Sequence, residues 1–130
     1  METITLYPLD FEEYLWARGK ELLSEEIRAA YDAMEPLPDA LHQEAVELYR
    51  EYLIIGGMPA CINVFLKSGS FLDVPLVQNE ILDNYIADMA KYASNTDSVK
   101  IRACYNSIPA QLAKDNKKFQ YKVVQKGGSA

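Results

Sequence analysis

Tyr49-Arg50-Glu51-Tyr52-Leu53-Ile54-Ile55-Gly56-Gly57-Met58-Pro59 decides how this chain is read, because an amphipathic run meets two glycines and restarts at a proline. Glycine takes a positive φ without a Cβ clash and ends helices. Proline has no N–H to lose in a first helical turn and fixes φ near the helical value. A helix, a tight bend and a second helix are predicted to meet at Gly56–Pro59. Upstream of the bend, Leu41, Ala45, Leu48, Tyr49, Tyr52 and Leu53 recur at helical spacing from Asp39 to about Ile55, with Glu44, Glu47 and Glu51 on the opposite, solvated face.

Working toward the N-terminus, residues 20–34 fit a helix with Leu23, Ile27, Ala30, Tyr31 and Met34 on one stripe, stopped by Pro36 and Pro38. Asp10 and Glu13 have the spacing of a capping box, so Phe11–Arg18 reads as a short helix closed by Gly19. Thr3-Ile-Thr-Leu-Tyr-Pro-Leu9 alternates apolar and polar residues and reads as a strand whose sheet lies outside this sequence.

Toward the C-terminus, residues 59–67 fit a short helix ended by Ser68-Gly69. Val74–Ala93 fits a long one with Val77, Ile81, Tyr85, Met89 and Tyr92 on one row. Ser94-Asn95-Thr96 reads as a linker and cap. Asp97–Asn106 and Ala110–Lys114, joined through Asn106-Ser107-Ile108 and Pro109, have helix-turn-helix proportions. Lys118–Val124 alternates like a strand before Gly127-Gly128-Ser129-Ala130. With a strand signal at each end and helices between, the chain reads as a segment of a longer protein.

The composition, 49% hydrophobic and 25% charged over 130 residues, is that of a soluble globular domain. No apolar run approaches the roughly 20 residues of a membrane span, and there is no basic-then-apolar leader, so a cytoplasmic protein is expected. Cys61 and Cys104 both sit in apolar helical patterns and read as buried free thiols. His42 is the only histidine, which leaves little material for a His-based metal site or a Cys/His nucleophile.

Charge is uneven. Residues 1–52 hold 13 Asp/Glu against 4 Lys/Arg, and residues 53–130 hold 6 against 9. Lys114, Lys117, Lys118 and Lys122 make the end of the chain basic, which fits either a solvated lysine face or contact with a nucleic-acid backbone. A phosphate-binding Gly-x-x-x-x-Gly-Lys-Ser/Thr run is absent, as are Gly-x-Ser-x-Gly, His-Glu-x-x-His and Cys-x-x-Cys. The adjacent carboxylates Glu12/Glu13 and Glu25/Glu26 point to different parts of a helix surface and are poor candidates for paired acid–base work. The chain alone is not expected to turn over a substrate.

Four blocks in order carry a resemblance: Leu6-Tyr-Pro-Leu-Asp-Phe-Glu-Glu-Tyr-Leu15, Tyr52-Leu-Ile-Ile-Gly-Gly-Met-Pro59, Tyr85-Ile-Ala-Asp-Met-Ala-Lys-Tyr92, and Ser107-Ile-Pro-Ala-Gln-Leu-Ala-Lys114 with Lys118-Phe-Gln-Tyr121. From about Thr3 to Gly127 the chain resembles the middle of prokaryotic AAA-type ATPases that carry a C-terminal domain of unknown function. The resemblance implies a mainly α fold. Residues 1–18 would be the end of the ATPase core, residues 19–93 a helical lid, and residues 94–130 the start of a winged-helix-like unit, with short strands at both ends. It also implies that ATP and Mg belong to the parent protein and are not held by this chain. The missing core and C-terminal domain would be its partners, with self-association through uncovered apolar faces. Gly57-Met58-Pro59 is similar to a Gly-x-Pro motif at a lid helix start, so Gly56, Gly57, Met58 and Pro59 would line the adenine side of a nucleotide site; a plain helix–helix corner is the competing reading. The alternative for the whole chain is a stand-alone helical interaction or DNA-binding module.

Overall fold

The computed structural model describes residues 3–91, 93–115, 118–120 and 124. Among them are six α-helices, a single 3-10 turn and no strand: α1 (Phe11–Ala17), α2 (Glu21–Ala33), α3 (Asp39–Ile55), α4 (Pro59–Ser68), the turn Phe71–Asp73, α5 (Val74–Lys91) and α6 (Asn95–Leu112). The chain divides into two compact units, one ending at Asn79 and the other beginning at Glu80 within α5.

In the first unit the Asp10 carboxylate accepts from the Glu13 amide while the Glu13 carboxylate accepts from the Asp10 amide, so the predicted capping box opens α1. Gly19, at φ +68°, turns the chain into α2. Leu15 of α1, Leu23 of α2 and Leu48 of α3 are buried together, with Phe11, Ile27, Leu41 and Ala45 packed around them. Each such leucine contributes roughly 1.5–3 kcal/mol of burial, so this small three-helix core is the main apolar stabilisation of the N-terminal helices. Beyond it, Ile55, Cys61, Ile62, Phe65 and Val74 are also buried. The Gln78 side-chain amide donates to the carbonyls of Ile54 and Ile55, which satisfies two acceptors at the open end of α3.

Helical spacing located these elements, but the buried faces are rotated from the predicted ones. Tyr49 and Leu53, expected on the core row of α3, are exposed, whereas Ile55 is buried and Glu51, expected on the solvated face, turns partly inward. Tyr31 and Met34, expected on the core stripe of α2, are 78% and 88% exposed. α2 instead buries Ser24, whose hydroxyl donates to Glu12.

Residues 3–9 are not a strand. They belong to no regular element, with Ile4, Leu6 and Tyr7 exposed, and no described residue hydrogen-bonds the backbone of residues 3–8. A strand exists only when a neighbour pairs with it, and the described residues supply none. At the other end, Lys118–Gln120 form no strand, and residues 121–123 of the second expected strand lie outside the described residues.

In the second unit the anticipated helix-turn-helix is one continuous helix. α6 starts at Asn95, capped by the Ser94 hydroxyl accepting from the Asp97 amide, and runs through Asn106-Ser107-Ile108 and past Pro109. Proline removes one intrahelical donor but does not force a turn. Side chains brace this stretch: the Ser107 hydroxyl donates to the Cys104 carbonyl at 2.7 Å, the Gln111 amide donates to the Ser107 Oγ, and the Gln111 Oε1 accepts from the Gln120 amide. Gln111, 6% exposed, is thus a buried polar residue with both ends of its amide satisfied.

Candidate functional site

The corner at Gly56–Pro59 is built from two glycines with different duties. Gly56 sits at φ +77° and ends α3 by donating its amide to the Tyr52 carbonyl at 2.7 Å; a Cβ there would meet open space, so its backbone angle is what calls for glycine. Gly57 has the opposite reason. A Cβ at Gly57 would lie 2.2 Å from the Leu9 carbonyl oxygen. Its own carbonyl accepts the Leu9 amide at 2.8 Å, and the Tyr52 hydroxyl donates to the Leu9 carbonyl at 2.9 Å. The peptide groups of Leu9 are therefore held from both sides, and the segment before α1 is tied to the bend between α3 and α4.

Met58 is extended and serves as the N-cap of α4, with its carbonyl accepting from Cys61 and Ile62. Pro59 follows at the first helical position with its ring exposed. All four candidate residues are brought together, and the face of Gly57 toward Leu9 is filled by protein. The exposed side of the corner is that of Pro59 and Ala60. Among the lysines, Lys114 is half-buried just beyond α6 and Lys118 is exposed, while Lys117 and Lys122 lie outside the described residues.

A polar cluster that the spacing did not reveal lies between α1 and α3. The Tyr14 ring is fully buried and its hydroxyl donates to the Glu51 carboxylate. Arg18 Nε lies 2.8 Å from Glu51 Oε1; its N–H is not aimed at that oxygen, so the contact is an ion pair rather than a hydrogen bond. The Arg18 guanidinium also stacks over the Phe65 ring at 5.4 Å, linking α1 to α4. Around it, Phe11 meets Tyr49 edge-on at 5.1 Å and Tyr52 lies 5.4 Å from Tyr14. Burial, and then the hydrogen bond to Glu51, pushes the Tyr14 phenol well above the usual tyrosine range; burial likewise raises Tyr52. A phenol held so firmly neutral is a hydrogen-bond donor and not a base. Glu51 stands three residues after Leu48 and four before Ile55, so once packing buries both of them it shares their face, which helical spacing alone had assigned to solvent.

The two cysteines are free. Cys61 is buried with its thiol pushed up by burial, and Cys104 is half-buried. His42 is exposed. Among the described residues no group of three or more His, Cys, Asp or Glu side chains could hold a metal ion, and no helix is long and apolar enough to cross a membrane.

Within the second unit, the C-terminal half of α5 and the first turns of α6 enclose a groove of about 400 Å³. Ile86, Met89, Val99 and Ile101 give it an apolar lining, to which Arg102 adds a cation. Neighbouring cations are committed on their own helices, Lys91 to Asp88 and Lys100 to Asp97. Arg102 is exposed and has no carboxylate partner among the described residues.

No curated protein and no solved structure matches this chain. One family model does match, over residues 46–130, from the middle of α3 through α6 to the end of the sequence. The chain belongs to the family described as Domain of unknown function (DUF8612).

Proposed function

We propose that this chain is the non-catalytic lid and linker of an AAA-type ATPase, closing over ATP and Mg held by a nucleotide-binding core that these residues do not supply. The observation that carries the proposal is the bond between Leu9 and Gly57. It ties the N-terminal segment that resembles the last core element directly to the corner that resembles the lid's Gly-x-Pro motif. Ile4, Leu6 and Tyr7 are 81–90% exposed on that segment, a surface suited to burial against a core. A movement of the core would thus pass through Leu9 to the start of α4. There the rigid apolar ring of Pro59 faces outward beside a helix N-terminus, a setting that suits an adenine edge or an anionic group.

The test is nucleotide affinity of the full-length protein carrying Pro59→Ala. ATP binding is expected to weaken roughly tenfold, about 1.4 kcal/mol, with the helical content unchanged. Unchanged affinity in a folded variant removes the adenine-side role. An upstream reading frame without a Gly-x-x-x-x-Gly-Lys-Ser/Thr run removes the ATPase reading altogether.

A protein-interaction module is the second reading, favoured by the apolar groove of the second unit and by Arg102, which has no carboxylate partner among the described residues. Its DNA-binding form, resting on Lys114, Lys117, Lys118 and Lys122 in a winged-helix-like setting, has less behind it, because α6 lacks the turn such a unit needs. A DNA titration at two salt concentrations decides it, since phosphate contacts weaken steeply with salt.

A further inference from the structure

We infer that the open cleft around Trp16, between α1 and α2, is a docking site for an arginine-bearing segment of another protein. It shares no residue with the Gly56–Pro59 corner and holds whether or not the chain closes over ATP. Glu12, Trp16, Glu21, Ser24, Glu25 and Arg28 line a space of about 510 Å³. Trp16 is the only tryptophan of the chain and is 50% exposed, and its ring meets no other aromatic ring and no cation among the described residues. Tryptophan is among the side chains that most often anchor a protein contact, and this one stands uncovered at the wall of a cleft.

The charge lies in the cleft itself. Arg28 is the sole cation among the described lining residues, and its Nη2 contacts both oxygens of Glu12 at 2.6 Å; the hydroxyl of Ser24, a residue only 5% exposed, donates to the same carboxylate. That wall is satisfied. Glu21 and Glu25 are exposed, and neither side chain has an ion pair or a hydrogen bond among the described residues. Arg18 and Lys20, close by in sequence, are taken by Glu51 and Glu44. One turn apart on α2, the two free carboxylates share a face, yet the carboxylates of the lining do not converge closely enough to hold a metal ion. The complement is therefore a broad organic cation with a flat apolar face. A guanidinium meets both demands, since it stacks on an indole and its fork of N–H donors serves two carboxylates, whereas an ammonium is a compact, strongly hydrated charge. The cleft is far larger than a guanidinium alone, and the Trp16 Nε1–H, without a partner among the described residues, can donate to a backbone carbonyl beside the arginine.

Because Trp16 is the only tryptophan, its fluorescence reports the cleft directly. The whole chain is titrated at low and high salt with the peptide acetyl-Gly-Arg-Gly-Arg-Gly amide, and with the same peptide carrying lysine or the neutral isostere citrulline in place of arginine. A saturable change in Trp16 emission that weakens with salt is expected, with the arginine peptide binding roughly tenfold more tightly than the citrulline peptide and more tightly than the lysine one. Glu21→Gln with Glu25→Gln is expected to weaken the arginine peptide roughly tenfold or more. Glu26→Gln, on α2 but outside this cleft, is expected to leave binding unchanged. All three glutamates are exposed, and circular dichroism checks that the variants remain folded. No saturable change at low salt, a citrulline or lysine peptide that binds as tightly as the arginine one, or a double variant that binds like the parent overturns the inference. So does a Glu26→Gln variant that weakens binding as much as the cleft substitutions, since the general acidity of the first unit would then be the cause.

Discussion

The Leu9 amide donates to the Gly57 carbonyl at 2.8 Å, joining a residue before the first helix to one in the bend between α3 and α4. The Leu9 carbonyl in turn accepts from the Tyr52 hydroxyl, so Leu9 is held through both its backbone groups by residues far away in sequence. The glycine pair at this bend therefore does more than end a helix.

Replacing Gly57 with alanine puts a Cβ 2.2 Å from the Leu9 carbonyl oxygen, and that neighbour is backbone, not a flexible side-chain tip. The variant is expected to lose about 1–3 kcal/mol in denaturant unfolding. Amide exchange at Leu9 should accelerate as its bond to Gly57 is broken. Gly56→Ala is expected to destabilise by about 1–3 kcal/mol, because φ 77° with ψ 172° is backbone space open essentially to glycine alone, while the protection of Leu9 is left intact.

Tyr14 predicts an alkaline limit to stability. Its phenol pKa is raised in the folded chain, first by burial and then by the Glu51 carboxylate that its hydroxyl contacts. The unfolded chain releases this proton near the ordinary tyrosine value of about 10, while the folded chain keeps it. The stabilisation is thus complete below that pH and falls as pH rises above it. Tyr52 adds a contribution of the same sign. Urea titrations through the alkaline range are expected to show this decline. Tyr14→Phe should flatten much of it, at the cost of about 1 kcal/mol at neutral pH for the lost hydrogen bond.

Pro109 sits inside α6, where an interior proline costs about 3 kcal/mol relative to alanine in a helix. Pro109→Ala supplies the missing donor and relieves the ring. Part of the gain is offset because alanine frees the unfolded chain. A net stabilisation of about 1–2 kcal/mol is expected, read as slower amide exchange along α6. Gln111→Ala should act in the opposite direction, because it removes a buried amide that joins Ser107 to Gln120.

The thiols should differ in rate. Cys61 is 1% exposed and its thiol is pushed up by burial, so little reactive thiolate is accessible. Cys104 is only half-buried. Alkylation followed by mass spectrometry is expected to label Cys104 first, with Cys61 modified only as the first unit opens.

Helix positions were readable because their signals are local. The Asp10/Glu13 capping box, Gly19, the Gly56–Pro59 bend and Ser94 each act within a turn or two, and each sits at an observed helix boundary. Which face of a helix is buried was less readable. α3 carries apolar residues over much of its circumference, and Ile55 was buried while Tyr49 and Leu53 of the expected row were left exposed. That choice depends on where α1 and α4 lie, and no residue of α3 encodes their position by itself. The strand expected at residues 3–9 failed for a related reason: alternation gives a segment two faces, but only a neighbour makes it a strand.

By itself, then, the sequence determined a mainly helical chain with a bend at Gly56–Pro59, an acidic first part and a basic end, because propensity, capping and charge belong to residues and their near neighbours. Only the tertiary structure decided that Gly57 is a contact point for Leu9, that Glu51 is shared by Tyr14 and Arg18, and that Arg102 lines an apolar groove without a carboxylate partner among the described residues. Those relationships join residues from different turns and different helices, and they exist only once packing has fixed the distances between them.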